Sequence, residues 1–371
     1  MSTVLYLCDY KAPYGGNFIA SLNILGNEMK NRGNTVLYAF PKDAEERPWM
    51  DLLKKDNTVL FVSGGTKQIR NDLCDWIRSY GIDIIHAHFG FLLPARLAAL
   101  KNKNVLLVIH QHSDFSSGKK PGFKKRLKIF GVDVLNLLLG KRLRQIYVGT
   151  GMKLGRNGVC IPNALVEQRF TDEILGRKDE RRILGLADSD CLCLLFGWSP
   201  EIKGVDIAVR AFDSLWEQGH AEMKLGIVLG RDFTLPKMKA WIMAKTGVDS
   251  NDPRIFYLDP IEDVFRYHQA SDIMLSASRS ETFSYALLEA LYIGNPCVIS
   301  DIPGTKWAEK YATVFSFQTE NPDALAGTLL DVSQRVRDRS LKEESNSIAD
   351  SVQKEYDIQC WLEKVIEVYS D

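Results

Sequence analysis

The sequence lacks any run near the roughly 18 apolar residues that a membrane-crossing helix needs. Its longest apolar stretches, such as residues 104–109 and 191–198, are only strand length, so no membrane span is expected. Cysteine chemistry is also sparse. The seven cysteines (Cys8, Cys74, Cys160, Cys191, Cys193, Cys297 and Cys360) are odd in number, lie mostly within apolar runs and form no C-x-x-C pair. They read as reduced core residues of a cytosolic protein rather than a disulfide framework. Residue 1 leads directly into an apolar strand at 4–8, with no basic leader or small-residue cleavage site, which argues against secretion. No internal repeat or low-complexity tract is present, and disordered, collagen-like and coiled-coil readings fall away.

Net charge is absent too, with 47 Lys+Arg against 47 Asp+Glu. The balance hides a division. Residues 1–163 carry 24 basic and 12 acidic side chains, and residues 164–371 carry 23 and 35, which suggests two domains with different tasks. A chain of 371 residues that is 45% hydrophobic and 25% charged is ordinary globular material, long enough for two full cores.

Short apolar, β-rich runs recur at 4–8, 35–40, 58–62, 82–86, 105–110, 145–149 and 159–161, most separated by helical patterns such as 19–31 and 67–80. The alternation restarts at 191–196 and continues through 225–229, 255–258, 273–276, 296–300 and 313–317, with helices at 205–217, 261–270 and 284–293. This pattern predicts two tandem Rossmann-like, doubly wound α/β domains. Their expected bounds are 1–163, a polar linker at 164–182, a second domain at 183–350, and a C-terminal helix at 351–371 that packs back on the first domain. Ligands of such sheets bind outside the carboxyl ends of the strands, where helix N-termini present unpaired N–H groups. Two facing domains would make a cleft suited to a nucleotide or sugar phosphate.

The most informative segment is Glu281-Thr-Phe-Ser-Tyr-Ala-Leu-Leu-Glu289, just after the strand at 273–276. A helix starting near Ser284 would aim its first N–H groups at a phosphate. Glu289 would follow about 7.5 Å along the axis, placed to accept hydrogen bonds from ribose hydroxyls, with Glu281 at the sugar end. Alone, the pair reads equally as two solvated glutamates flanking an amphipathic helix. Gly15-Gly16 after the first strand can bring backbone close to a phosphate, or can simply make a strand-to-helix turn. Lys203, within Glu201-Ile-Lys-Gly204 ahead of a helix, can neutralise diphosphate charge as a leaving group departs.

Together these segments resemble the retaining nucleotide-sugar glycosyltransferases of the GT-B fold. The resemblance rests on the Glu281-to-Glu289 motif, the following Ala290-Leu-x-x-Gly-Asn-Pro-Cys-Val-Ile-Ser-Asp301, the Gly15-Gly16 loop, His110 at a strand end, Ile161-Pro-Asn163, and Gly197 with Lys203-Gly204. It covers essentially the whole chain. It implies metal-independent transfer of a hexosyl or N-acetylhexosaminyl unit from a UDP- or GDP-sugar, with retention of anomeric configuration and no cofactor beyond that substrate. The acceptor would be a hydroxyl of a cell-surface, lipid-linked glycan in polysaccharide biosynthesis. His110, Glu281 and Lys203 become the catalytic candidates. Gly15, Gly16, Lys203, Phe283, Ser284, Tyr285 and Glu289 become the donor contacts. Two positions depart from the family: Trp198 stands where arginine usually follows the glycine, and Ser284 stands where glycine is usual. Arg231, Arg279 and Lys153 are the candidate substitutes for the missing arginine. A UDP-sugar epimerase of the same fold and a non-catalytic sugar-nucleotide-binding subunit are the alternatives.

Four of the six histidines form two H-x-H pairs, His86-Ala-His88 and His110-Gln-His112. Residues i and i+2 on a strand share a face, so either pair can chelate a metal, which would imply a metallohydrolase. No H-E-x-x-H or C-x-x-C accompanies them, and no metal is expected. A basic segment carries Lys119, Lys120, Lys124, Lys125, Arg126 and Lys128, then Lys141, Arg142 and Arg144, against Asp133 alone, with many interleaved leucines. It reads as an acceptor or anionic-membrane surface at the cytoplasmic face, or as a core helix with a solvated basic end. Many of the leucines are expected to face the core. Nucleic acid is not expected, because no binding module accompanies the charge.

Overall fold

In the computed structural model the described residues are 1–112, 122–170, 176–230 and 233–370, with backbone alone described at 123–125. The chain divides into two compact units, Met1–Ala164 with Ile358–Asp371, and Leu165–Asp357.

The first unit holds a seven-stranded parallel sheet: β1 (Thr3–Cys8), β2 (Thr35–Pro41), β3 (Thr58–Val62), β4 (Ile84–His88), β5 (Leu106–Gln111), β6 (Leu143–Tyr147) and β7 (Gly158–Cys160). Its order is β3-β2-β1-β4-β5-β6-β7. The second unit holds β8 (Cys191–Phe196), β9 (Met223–Val228), β10 (Ile255–Leu258), β11 (Ile273–Ser276), β12 (Cys297–Ser300) and β13 (Val314–Phe317), in the order β10-β9-β8-β11-β12-β13. Both are doubly wound, as the alternation predicts. Strands buried on both faces read as unbroken apolar runs, and Leu192, Cys193, Leu194 and Leu195 of β8 are essentially inaccessible. In each sheet the order reverses beside the first strand, between β1 and β4 and between β8 and β11. The crevices at these switch points are where such folds hold ligands.

Two segments differ from expectation. The span read as a linker includes the helix Arg177–Ile183. Arg181 of that helix is buried and donates to the carbonyls of Ala270, Ala187 and Asp190 and to Asp272 Oδ2 at 2.7–3.0 Å. Its charged residues, which look solvated in sequence, tie the helix to the second unit. The tail is two helices, Lys342–Glu355 and Ile358–Ser370, and the second belongs to the first unit. There Tyr369 Oη lies 2.7 Å from His86 Nδ1, and Trp361, Leu362 and Val365 are buried.

Candidate active site

At the β8/β11 switch point, two loops converge. The turn after β8 is closed by Lys203 N donating to the Ser199 carbonyl and Arg279 N donating to the Ile202 carbonyl, both at 2.8 Å. Gly204 then caps the helix Val205–Glu217 with φ of +66°. A Cβ there would lie 1.9 Å from the Ala277 carbonyl oxygen, so only glycine lets the turn approach the end of β11. This places Lys203 against Glu281: their side chains are ion-paired, and only 12% and 11% exposed. Ser278 Oγ also donates to Glu281 Oε1 at 3.1 Å. The Glu281 backbone is fixed from behind, since a Cβ on Gly304 would fall 2.0 Å from its carbonyl oxygen.

Trp198 is 55% exposed, and Lys203 Nζ sits 5.1 Å from its ring centroid. The residue in the arginine position therefore supplies a cation–π face to the lysine. Ser284 caps the helix Tyr285–Tyr292, its hydroxyl accepting from Leu287 N at 3.3 Å, which is the capping role its hydroxyl permits. Glu289, inside that helix, is 5% exposed. Arg169 Nη1 lies 3.7 Å from its Oε1, and Nε2 of the fully buried His268 lies 3.5 Å from its Oε2. Neither neighbour was apparent in sequence, because Arg169 and His268 meet Glu289 only through tertiary packing.

Two candidates have other duties. Phe283 is buried, stacked on Trp307 at 4.7 Å between ring centroids and packed near Tyr356. It supports the loop from beneath. Arg279 has its five guanidinium N–H groups engaged by Asp206, Glu320 and the Glu201 carbonyl. The Asp206 and Glu320 carboxylates that take these donors also push its pKa up. Arg231 lies outside the described residues. Tyr285 is partly exposed in the first turn of its helix, and Lys153 is exposed in the first unit.

Gly15, Gly16 and the histidines also belong to the first unit. Gly16 begins the helix Gly16–Asn31 with φ of +57°, and a Cβ there would meet nothing within 4 Å, whereas Gly15 is packed on Ile19 and Trp49. Parallel register places His88 opposite His110, and the two H-x-H pairs merge into one cluster. His86 Nε2 lies 3.2 Å from His110 Nδ1, and His88 Nδ1 lies 3.0 Å from His112 Nε2. Burial pushes the pKa of His86, His88 and His110 well down, and that of His112 to about 3. His110 is 1% exposed.

The basic segment forms the helix Phe123–Leu139. Lys119 and Lys120 lie outside the described residues, as do the side chains of Lys124 and Lys125. Arg126 and Lys128 are exposed. The leucines do not mainly face the core: Leu127, Phe130, Leu137 and Leu138 are each more than 60% exposed. Leu139 joins the core, and Asn136 accepts from Arg96 Nε at 2.7 Å. The helix is therefore anchored near its carboxyl end while an apolar face remains open.

Residues 191–335, which include β8 to β13 and the Lys203 and Glu281 loops, match the family model for Glycosyl transferases group 1. A D-inositol 3-phosphate glycosyltransferase of Corynebacterium urealyticum is 24% identical over 255 residues, a match covering 62% of this chain and 58% of that protein. The match thus spans well under two-thirds of the relative's length. Among solved structures, a glycosyltransferase of Rickettsia africae superposes with a TM-score of 0.78 at 17% identity, covering 99% of this chain and 97% of that one. Anabaena HepE, solved with UDP and glucose, gives 0.77 at 16% identity with both chains covered completely. The fold is GT-B, two Rossmann-like domains. Together the likenesses support a glycosyltransferase.

Proposed function

We propose that the protein is a retaining, metal-independent glycosyltransferase. In this reading it moves a hexosyl or N-acetylhexosaminyl unit from a UDP- or GDP-sugar to a hydroxyl of a lipid-linked glycan, in polysaccharide biosynthesis at a membrane surface. The observation that carries the reading is the Lys203–Glu281 pair at the β8/β11 switch point, inside the segment that matches the family model. The ion pair is charge-neutral. An arriving diphosphate competes with Glu281 for Lys203, so the cation is already positioned where negative charge grows on the leaving group. Glu281 is released toward the sugar, Ser284 and the first turn of its helix face the phosphates, and Glu289 serves the ribose. Trp198 supports Lys203 and does not replace the missing charge, and the lysine serves as the main cation of the donor site among the described residues. His110 is assigned to the sugar, and the first unit to the acceptor. The HepE structures with UDP and with UDP-glucose favour a UDP donor.

No helix of the described residues is long and apolar enough to cross a membrane. The open apolar face of the helix Phe123–Leu139, with Arg126 and Lys128 beside Leu127, suits a helix lying in the interface of an anionic bilayer.

A thermal-shift panel of nucleotides and nucleotide sugars tests the donor assignment, because a ligand that binds only the folded state raises apparent stability with concentration. One nucleotide diphosphate should stabilise the protein, and Glu289→Ala should weaken that binding by about 1–3 kcal/mol. No response to any nucleotide would overturn the reading.

A further inference from the structure

Both carboxylate oxygens of Glu289 face a buried nitrogen. Its side chain is only 6% exposed, with Arg169 Nη1 at 3.7 Å from Oε1 and His268 Nε2 at 3.5 Å from Oε2. Neither nitrogen has a hydrogen-bond partner among the described residues. Buried N–H groups are costly to leave unpaired, and here two converge on one carboxylate, one at each oxygen, just outside hydrogen-bond geometry.

The flanking residues are themselves fixed. Arg169 sits in the short helix Glu167–Phe170, and its Nη2 donates to the Glu262 carbonyl at 3.0 Å. Its neighbour Phe170 packs on Phe265 and Tyr292, with ring centroids 5.0 and 5.1 Å away. Phe265 opens the helix Phe265–Ala270 that carries His268, and Tyr292 closes the helix Tyr285–Tyr292 that carries Glu289. One aromatic cluster thus pins the three elements together. His268 is fully buried, its ring 5.4 Å from that of Phe196 at the end of β8, and its carbonyl accepts from Asn295 Nδ2 at 2.7 Å. All of these residues belong to the second unit.

We propose that Arg169 and His268 are positioning residues that hold the Glu289 carboxylate in the plane needed to accept from both ribose hydroxyls of the donor, and so set selectivity for ribonucleotides over deoxyribonucleotides. The inference rests on the assignment of Glu289 to the ribose. The last torsion of a glutamate is broad and roughly two-fold, so an unheld carboxylate meets two vicinal hydroxyls in only a few of its orientations. A carboxylate offers about four lone-pair positions, enough for one holder and one hydroxyl on each oxygen. With its proton on Nε2, the His268 ring points an N–H at Oε2, while the Arg169 charge faces Oε1. Such contacts commonly tighten when ligand arrives, and shifts of roughly 0.5–0.7 Å give both an ordinary N–H···O distance.

The test measures by calorimetry the binding of UDP against 2′-deoxy-UDP, and of GDP against 2′-deoxy-GDP, to the full chain and its variants. The wild type should bind one ribonucleotide more than about 10-fold tighter than its deoxy form, the scale of one hydrogen bond to a charged group. Arg169→Met and His268→Leu should each cut that preference below about 3-fold. Arg169→Lys, and His268→Gln with its N–H at the Nε2 position, should restore most of it. A merely structural role weakens both nucleotides alike, so an unchanged ratio in the folded Met and Leu variants overturns the inference. If those variants do not fold, a crystal structure of the wild type with the bound nucleotide decides: both nitrogens should lie within about 3.2 Å of Glu289, and longer distances overturn the inference. Glu289→Ala separates the two levels and should lose the preference. Its loss there with retention in the Arg169 and His268 variants removes this inference alone. Retention in Glu289→Ala, or no binding of any of the four nucleotides, removes the ribose assignment and this inference with it.

Discussion

Lys203 and Glu281, far apart in sequence, form a nearly buried ion pair across the crevice where the second sheet reverses its strand order. The pair keeps a cation at the carboxyl ends of β8 and β11 and compensates its charge. Removing one member of a buried pair strands the other. Lys203→Ala should therefore cost in two ways. The rate of transfer should fall about 10²–10³-fold through lost stabilisation of the leaving group. Stability should fall as well, because the Glu281 carboxylate is left with Ser278 alone among the partners described above. Steady-state kinetics should place most of the first effect on kcat; an unchanged kcat would remove Lys203 from the chemistry.

Gly204 is expected to tolerate no side chain. Its φ of +66° costs an L-residue about 1–2 kcal/mol. A Cβ would also overlap the Ala277 carbonyl oxygen, adding about 1–3 kcal/mol of overpacking. Gly204→Ala should lower stability by about 2–5 kcal/mol in urea unfolding and weaken nucleotide binding through the displaced Lys203 turn. A loss below about 1 kcal/mol would show that the turn relaxes freely.

The histidine cluster sets a pH dependence of known sign. His86, His88, His110 and His112 have folded pKa values depressed by burial, against about 6.5 when unfolded. Between those values the unfolded chain binds more protons, so stability is complete above about pH 7 and is lost as pH falls through 6.5. Each histidine contributes up to about 1.4 kcal/mol per pH unit in that window. Unfolding at pH 5.5 should require at least about 3 kcal/mol less than at pH 7.5. Equal stability at the two values would contradict the buried neutral cluster.

The exposed face of the helix Phe123–Leu139 predicts vesicle binding. Leu137 and Leu138 are 64% and 63% exposed, so replacing either with serine should barely change stability. Burying one leucine in a bilayer is worth about 1.5–3 kcal/mol, and Leu137→Ser with Leu138→Ser should reduce co-sedimentation with phosphatidylglycerol vesicles by more than about 10-fold. Equal sedimentation of the variant and wild type would move the membrane contact elsewhere.

The architecture was largely legible, and for a physical reason. Parallel strands buried on both faces leave continuous apolar runs, so β8 and β11 have the bounds their sequence suggests. The motif from Glu281 to Glu289 was legible because helix capping and strand-end loops are local. What escaped was non-local. The H-x-H pairs looked separate because only the β4/β5 register joins them. Phe283 and Arg279 looked available because Trp307, Asp206 and Glu320 reach them from elsewhere in the chain. The leucines of the basic helix looked like core because composition records apolarity but not which faces find a partner.

The most direct measurement is sugar transfer itself. Purified protein is incubated with radiolabelled UDP- and GDP-sugars and a membrane lipid extract, and label is counted in the lipid fraction alongside the Lys203→Ala variant. Incorporation is expected from one donor, with the product linkage retaining the donor's anomeric configuration and the variant nearly inactive. A protein that binds nucleotide yet transfers from no donor, or that releases a free epimer, would contradict it.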